Sequence, residues 1–114
     1  MLIAEIREQL PQYKGYLTLS ELSVRTVSKY TRDIESMLKY SEVDNNGVVD
    51  KEGLIAYKET LHGKYSESSI NSYLISINSF FKWAGKEEWT LKTERLQNVS
   101  ARKTYSIEKN KTGY

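Results

Sequence analysis

Residues 66–85 read SESSINSYLISINSFFKWAG, and they decide the fold. Turned by about 100° per residue, Ile70, Tyr73, Leu74, Ile77, Phe80, Phe81 and Ala84 fall on one broad apolar stripe, which predicts an amphipathic helix at the centre of a core. Ser66 is placed to cap its start, and Gly85 is placed to stop it. An earlier stretch, Ser23 to Leu38, uses the same grammar. Ser23 stands against Ser66, Tyr30 against Tyr73, Ile34 against Ile77, Met37 against Phe80 and Leu38 against Phe81. Shared helix patterning behind a serine cap accounts for that likeness better than duplication does.

Two further helices follow from the same rules. Leu2, Ile3, Ile6 and Leu10 have helical spacing over about Leu2 to Leu10, and Pro11 is expected to end that segment, with at most one more turn through Tyr13 before Gly15. The helix behind Ser23 should run to about Tyr40. After the turn-forming Asp44-Asn-Asn-Gly47, Asp50 is placed to cap a helix over about Lys51 to Leu61 that closes at Gly63, with His62 near the negative end of its dipole. Trp89 and Leu91 are expected to fold back on the bundle. No period-two pattern persists, apart from Lys103 to Ile107, so the class is all-α.

Composition narrows the function. The 114 residues hold no cysteine and one histidine, which excludes disulfides and thiolate sites and leaves little for a metal centre. No apolar run is long enough for a membrane span, and no cleavable leader is legible, so a soluble, cytoplasmic chain is expected, with no membrane partner. The net charge is only +2. Its distribution is uneven: over 92–114, Lys92, Arg95, Arg102, Lys103, Lys109 and Lys111 face only Glu94 and Glu108. That segment reads as a basic linker or arm, with 1–91 as the helical domain.

The outer helix faces carry the candidate chemistry. On the Ser23 helix, Arg25, Lys29, Arg32, Ser36 and Lys39 lie opposite the apolar stripe, with Asp33 and Glu35 expected at its flanks, so the cations should be left uncompensated and suited to phosphates. On the Ser66 helix the outer side offers Ser68, Ser72, Ser76, Ser79 and Lys82, with Asn71 and Asn78 at the edges. Short hydroxyls suit a large partner that comes close, and equally suit a helix packed by small residues against another helix. Ile75 and Trp83 on that side keep a protein-docking role open. Residues 42–53 resemble a calcium-binding EF-hand loop at Asp44, Asn46, Gly47, Val49 and Asp50. The loop fails at the first and last ligands, where Glu42 and Gly53 stand. No nucleophile with a base and orienting group is visible, and no cofactor is implied.

These residues together resemble the N-terminal core-binding domain of tyrosine recombinases, the phage integrase family. Ser23, Thr26, Tyr30, Asp33-Ile34 and Leu38 match its first pattern. Ser66, Ser69, Ile70, Asn71, Phe81 and Trp83 match its second, so the resemblance covers about Thr18 to Gly85. It implies a small four- or five-helix orthogonal bundle, SAM-like in fold, forming half of a clamp round double-stranded DNA. A separate catalytic domain of the parent chain cuts and rejoins strands, and other protomers assemble on the same DNA. The resemblance nominates Arg25, Thr26, Lys29, Ser69, Asn71 and Ser72 as DNA contacts, while Arg32, Lys39 and Lys82 come from the stripes alone. It further implies a non-enzymatic domain with its interdomain linker attached, weak in DNA affinity by itself and strongly salt-dependent.

Overall fold

The structure, a computed structural model, describes residues 1–93. It contains α1 (Ile3–Leu19), α2 (Val24–Asp44), α3 (Lys51–His62), α4 (Glu67–Trp83) and a single 3₁₀ turn over Glu87–Trp89. Among the described residues there is no strand, only an isolated bridge between Leu2 and Val48. The all-α expectation holds. α2 packs against both α1 and α4, and α3 closes on α4 and α2. The predicted stripe of α4 is the centre of this arrangement, with Leu74, Ile77, Phe80 and Phe81 fully buried against Ile6, Tyr13, Ile34, Met37, Leu38 and Leu54. Each such side chain contributes about 1.5–3 kcal/mol by leaving water. No helix is long and apolar enough to cross a membrane among the described residues.

The serine caps form as the sequence predicts. Ser23 Oγ accepts from Thr26 N at 3.1 Å, and Ser66 Oγ accepts from Ser69 N at 3.2 Å. Asp50 Oδ1 does the same for Gly53 N at 2.7 Å. α3 ends at His62 with Gly63 at its C-cap, while α2 runs one turn past the expected Tyr40 to Asp44.

α1 departs from expectation, because it continues through Pro11 and Gly15 to Leu19. A proline inside a helix costs about 3 kcal/mol, since it removes one hydrogen bond and crowds the preceding turn. Pro11 is exposed, so water can serve the carbonyl it leaves unpaired. Ile3, Ile6, Leu10, Tyr13 and Leu17 meanwhile bury one unbroken stripe. Burial of Tyr13 and Leu17 beyond the proline offsets its cost. The Tyr13 hydroxyl donates to Ser79 Oγ of α4 at 2.7 Å, and burial pushes its pKa up to about 12. Tyr57 on α3 is pushed up by burial as well.

The loop between α2 and α3 is held by the start of the chain. Met1 N donates to Val49 O at 2.8 Å, Val49 N to Met1 O at 2.7 Å, and Ile3 N to Gly47 O at 3.2 Å. Inside the loop, Asn45 Nδ2 donates to Val48 O at 2.7 Å. A Cβ at Gly53 would stand 2.6 Å from that same nitrogen. The loop thus wraps a side-chain N–H donor, and Asp50 is engaged as a helix cap, which is the opposite of a calcium cradle of inward-facing oxygens. No cluster of three metal-ligating side chains occurs among the described residues.

Beyond α4 the chain folds back as expected. The Trp89 ring meets Phe81 edge-on at 5.6 Å, and Leu91 is buried. Asn78 takes both backbone groups of Leu91, donating to its carbonyl at 2.8 Å and accepting its N–H at 2.7 Å. Lys51 and Lys58 donate to the carbonyls of Thr90 and Lys92, each at 2.6 Å. The expected basic linker lies outside the described residues apart from Lys92 and Thr93.

Candidate nucleic-acid interface

Arg25, Arg32 and Lys39 project from α2 as exposed side chains. Lys29 does not share their state, and the expectation of an uncompensated stripe fails there. Its ammonium donates to Asp33 Oδ2 at 2.6 Å, to Ser72 O at 3.1 Å and to Ser76 Oγ at 3.1 Å. All three of its protons are engaged inside the molecule. Asp33 lies one helical turn beyond Lys29, where opposite charges meet on a helix face, and α4 packs over it until the residue is 4% exposed. A buried carboxylate needs partners. Lys29 is one, and the fully buried Ser76, donating at 2.8 Å, is the other.

The serine side of α4 resolves in favour of helix packing. Ser76 belongs to this ionic lock with α2, Ser79 bonds Tyr13 of α1, and Asn78 holds Leu91. What remains outward is near the helix start, where Ser68 and Ser69 are exposed and Asn71 and Ser72 half-buried. The two capped starts match in detail. Ser23 Oγ donates to Thr26 Oγ1 at 3.0 Å, and Ser66 Oγ to Ser69 Oγ at 3.2 Å. Thr26 and Ser69 thus each accept from a cap and keep a hydroxyl proton for an outside acceptor.

Three grooves sort the nominated residues. Lys29, Arg32, Ser69 and Ser72 line one groove between α2 and α4, together with Asp33 and Tyr73. The Tyr73 ring meets Tyr65 at a tilt, with ring centroids 5.3 Å apart, and its hydroxyl pKa is raised, first by the hydrogen bond with Tyr65. Arg32 also walls a second groove, between α1 and α2, with Arg7 and Lys14. Lys82 stands apart at the far end of α4, in a groove with Tyr16, Ile75 and Trp83. Arg25, Thr26, Lys39 and Asn71 line none of the three.

Arg7 and Lys14 are the cations the sequence reading missed. Seven residues apart, they stack on one face of a helix, a signal legible only if α1 is carried through Pro11.

A family model described as phage integrase, N-terminal SAM-like domain, matches residues 10–88. No curated protein and no solved structure matches the chain. The matched span runs from within α1 to the turn after α4, and so includes α2, α4 and the groove between them. The chain belongs to the phage integrase N-terminal SAM-like domain family.

Proposed function

We propose that this domain binds duplex DNA as the core-binding half of a site-specific tyrosine recombinase. It grips the recombination core site for a catalytic domain and acts with other protomers in integration or a related rearrangement in the cytoplasm. The observation that carries the reading is the α2–α4 groove. There the exposed Arg32 stands beside the Ser69 and Ser72 positions, while Lys29, neutralised by Asp33, walls the groove without adding net charge. Arg25 and Thr26 extend the same surface along α2 toward its capped start. Such a groove grips phosphates by charge and by short hydroxyl donors, and leaves strand cleavage to other residues.

Titration of the 114-residue chain with a labelled duplex at low salt tests this. Binding that weakens as salt rises, and weakens again in Arg32→Ala and Arg25→Ala, is the expected result. Equal affinity in all three proteins, or none in the unchanged chain, overturns it. Exposed Ile75 and Tyr16 beside Trp83 favour a second reading, a protein-docking face at the far end of α4. Light scattering that finds a stable oligomer with no DNA affinity would favour that alternative.

A further inference from the structure

We infer that α1 adds a second phosphate-binding groove to the DNA-binding surface, lined by Arg7, Lys14 and Arg32 and held in check by Glu35. The inference rests on the DNA-binding reading above and extends it to a helix none of whose residues the sequence nominated. Three cations from two helices surround the groove, against the single acid Glu35. Its floor is apolar, supplied by Leu10 and Pro11, and suits the sugar edge of a nucleic-acid backbone while the cations take the phosphates. Arg32 walls both this groove and the α2–α4 groove, so a backbone crossing α2 at Arg32 meets positive charge on either side.

Glu35 is the restraint. Its Oε1 accepts from Arg7 Nη2 at 3.2 Å, with both side chains 41% exposed. An ion pair so open to water is weak, and an arriving phosphate competes for Arg7 readily. Arg7 therefore exchanges one anionic partner for another on binding, whereas the exposed Lys14 shares the groove with Glu35 but is not the residue paired to it. The carboxylate repels phosphate and lowers affinity below what the cations alone would give.

The test is the salt dependence of duplex binding by the full chain and three variants. Lys14→Ala alters an exposed side chain, and its thermal melt should superpose on that of the unchanged protein. The slope of log K against log salt should fall by about 0.9, the share of one phosphate contact. Glu35→Gln keeps the shape, frees Arg7 and removes the repulsion, so binding should tighten several-fold and the slope should steepen. Arg32→Ala, shared by both grooves, is the reference. Should Arg32→Ala weaken binding while Lys14→Ala leaves the slope unaltered, or while Glu35→Gln fails to tighten it, the α1 groove is overturned and the α2–α4 reading stands. Absence of binding by the unchanged chain overturns both.

Discussion

The two ends of α4 are fastened to the bundle by different chemistry. Up to Ser76 the helix is joined to α2 by the lock of Lys29, Asp33 and Ser76, and in its last turns to α1 by rings. Tyr13 lies 5.2 Å from Phe80 and 5.4 Å from Trp83, with Phe80 and Trp83 5.9 Å apart. Rings exclude water and hold by area and shape. The lock keeps one side wet, since the Lys29 side chain remains 33% exposed. Polar groups at that end reach the surface without being stranded in the core, and of the residues nominated for DNA, Lys29, Arg32, Ser69 and Ser72 lie there, with Lys82 at the other end. Under the DNA-binding proposal, strength and function are divided along one helix.

The largest blow to this division should come at the ring end. Phe80→Ala opens a cavity among Tyr13, Phe81 and Trp83, and should cost about 3–5 kcal/mol in urea unfolding. A loss under about 1 kcal/mol would mean that the rings are not what fastens α1.

At the lock end, Asp33→Ala leaves an ammonium and a buried hydroxyl without their acceptor. The cost should be about 2 kcal/mol, below the full penalty for a broken buried pair because Lys29 is partly solvated. Combining it with Lys29→Met should restore part of the loss. Effects that simply add, within about 0.5 kcal/mol, would show that the two charges are not coupled.

Tyr13 ties the ring end to pH. Its pKa rises from 10 to about 12 on folding, so the fold favours the neutral phenol. Its stabilising effect is intact below pH 10 and is lost as pH climbs toward 12, with Tyr57 pushing in the same direction. Tyr13→Phe should cost about 1 kcal/mol at neutral pH, the worth of the bond to Ser79, and should flatten the alkaline limb of the stability curve. An unchanged limb would place the alkaline sensitivity elsewhere.

The smallest effect has the opposite sign. A Cβ at Gly15 meets nothing within 4 Å, so Gly15→Ala should stabilise α1 by about 0.5–1 kcal/mol. A loss of stability would argue that the helix does not continue past Pro11 as a regular element.

Local rules made much of the fold legible in advance. Three side-chain caps at Ser23, Asp50 and Ser66, the core stripe of α4, and the return of Trp89 and Leu91 depend on residues within a few turns of one another. The full length of α1 is not legible, because the cost of Pro11 is local while its compensation through Tyr13 and Leu17 comes from helices distant in sequence. A helix ended at Pro11 also separates Arg7 from Lys14, which share a face only when α1 continues. For the candidate site, the cationic positions of α2 and the hydroxyls at the start of α4 were visible as helix faces, but not which of them face one another.

The sequence by itself determined that there are four helices, three of their caps, the buried sides apart from the second half of α1, and the family pattern, because periodicity and capping are properties of neighbouring residues. Only the tertiary structure decided which polar groups are consumed. Whether Lys29 is a surface cation or an internal strut, and whether Ser76 and Ser79 are outward hydroxyls or bonds between helices, depends on α4 lying over Asp33 and beside Tyr13. The physical reason is that a charge or hydroxyl covered by another helix must find its partner there, and packing alone sets which residues are covered.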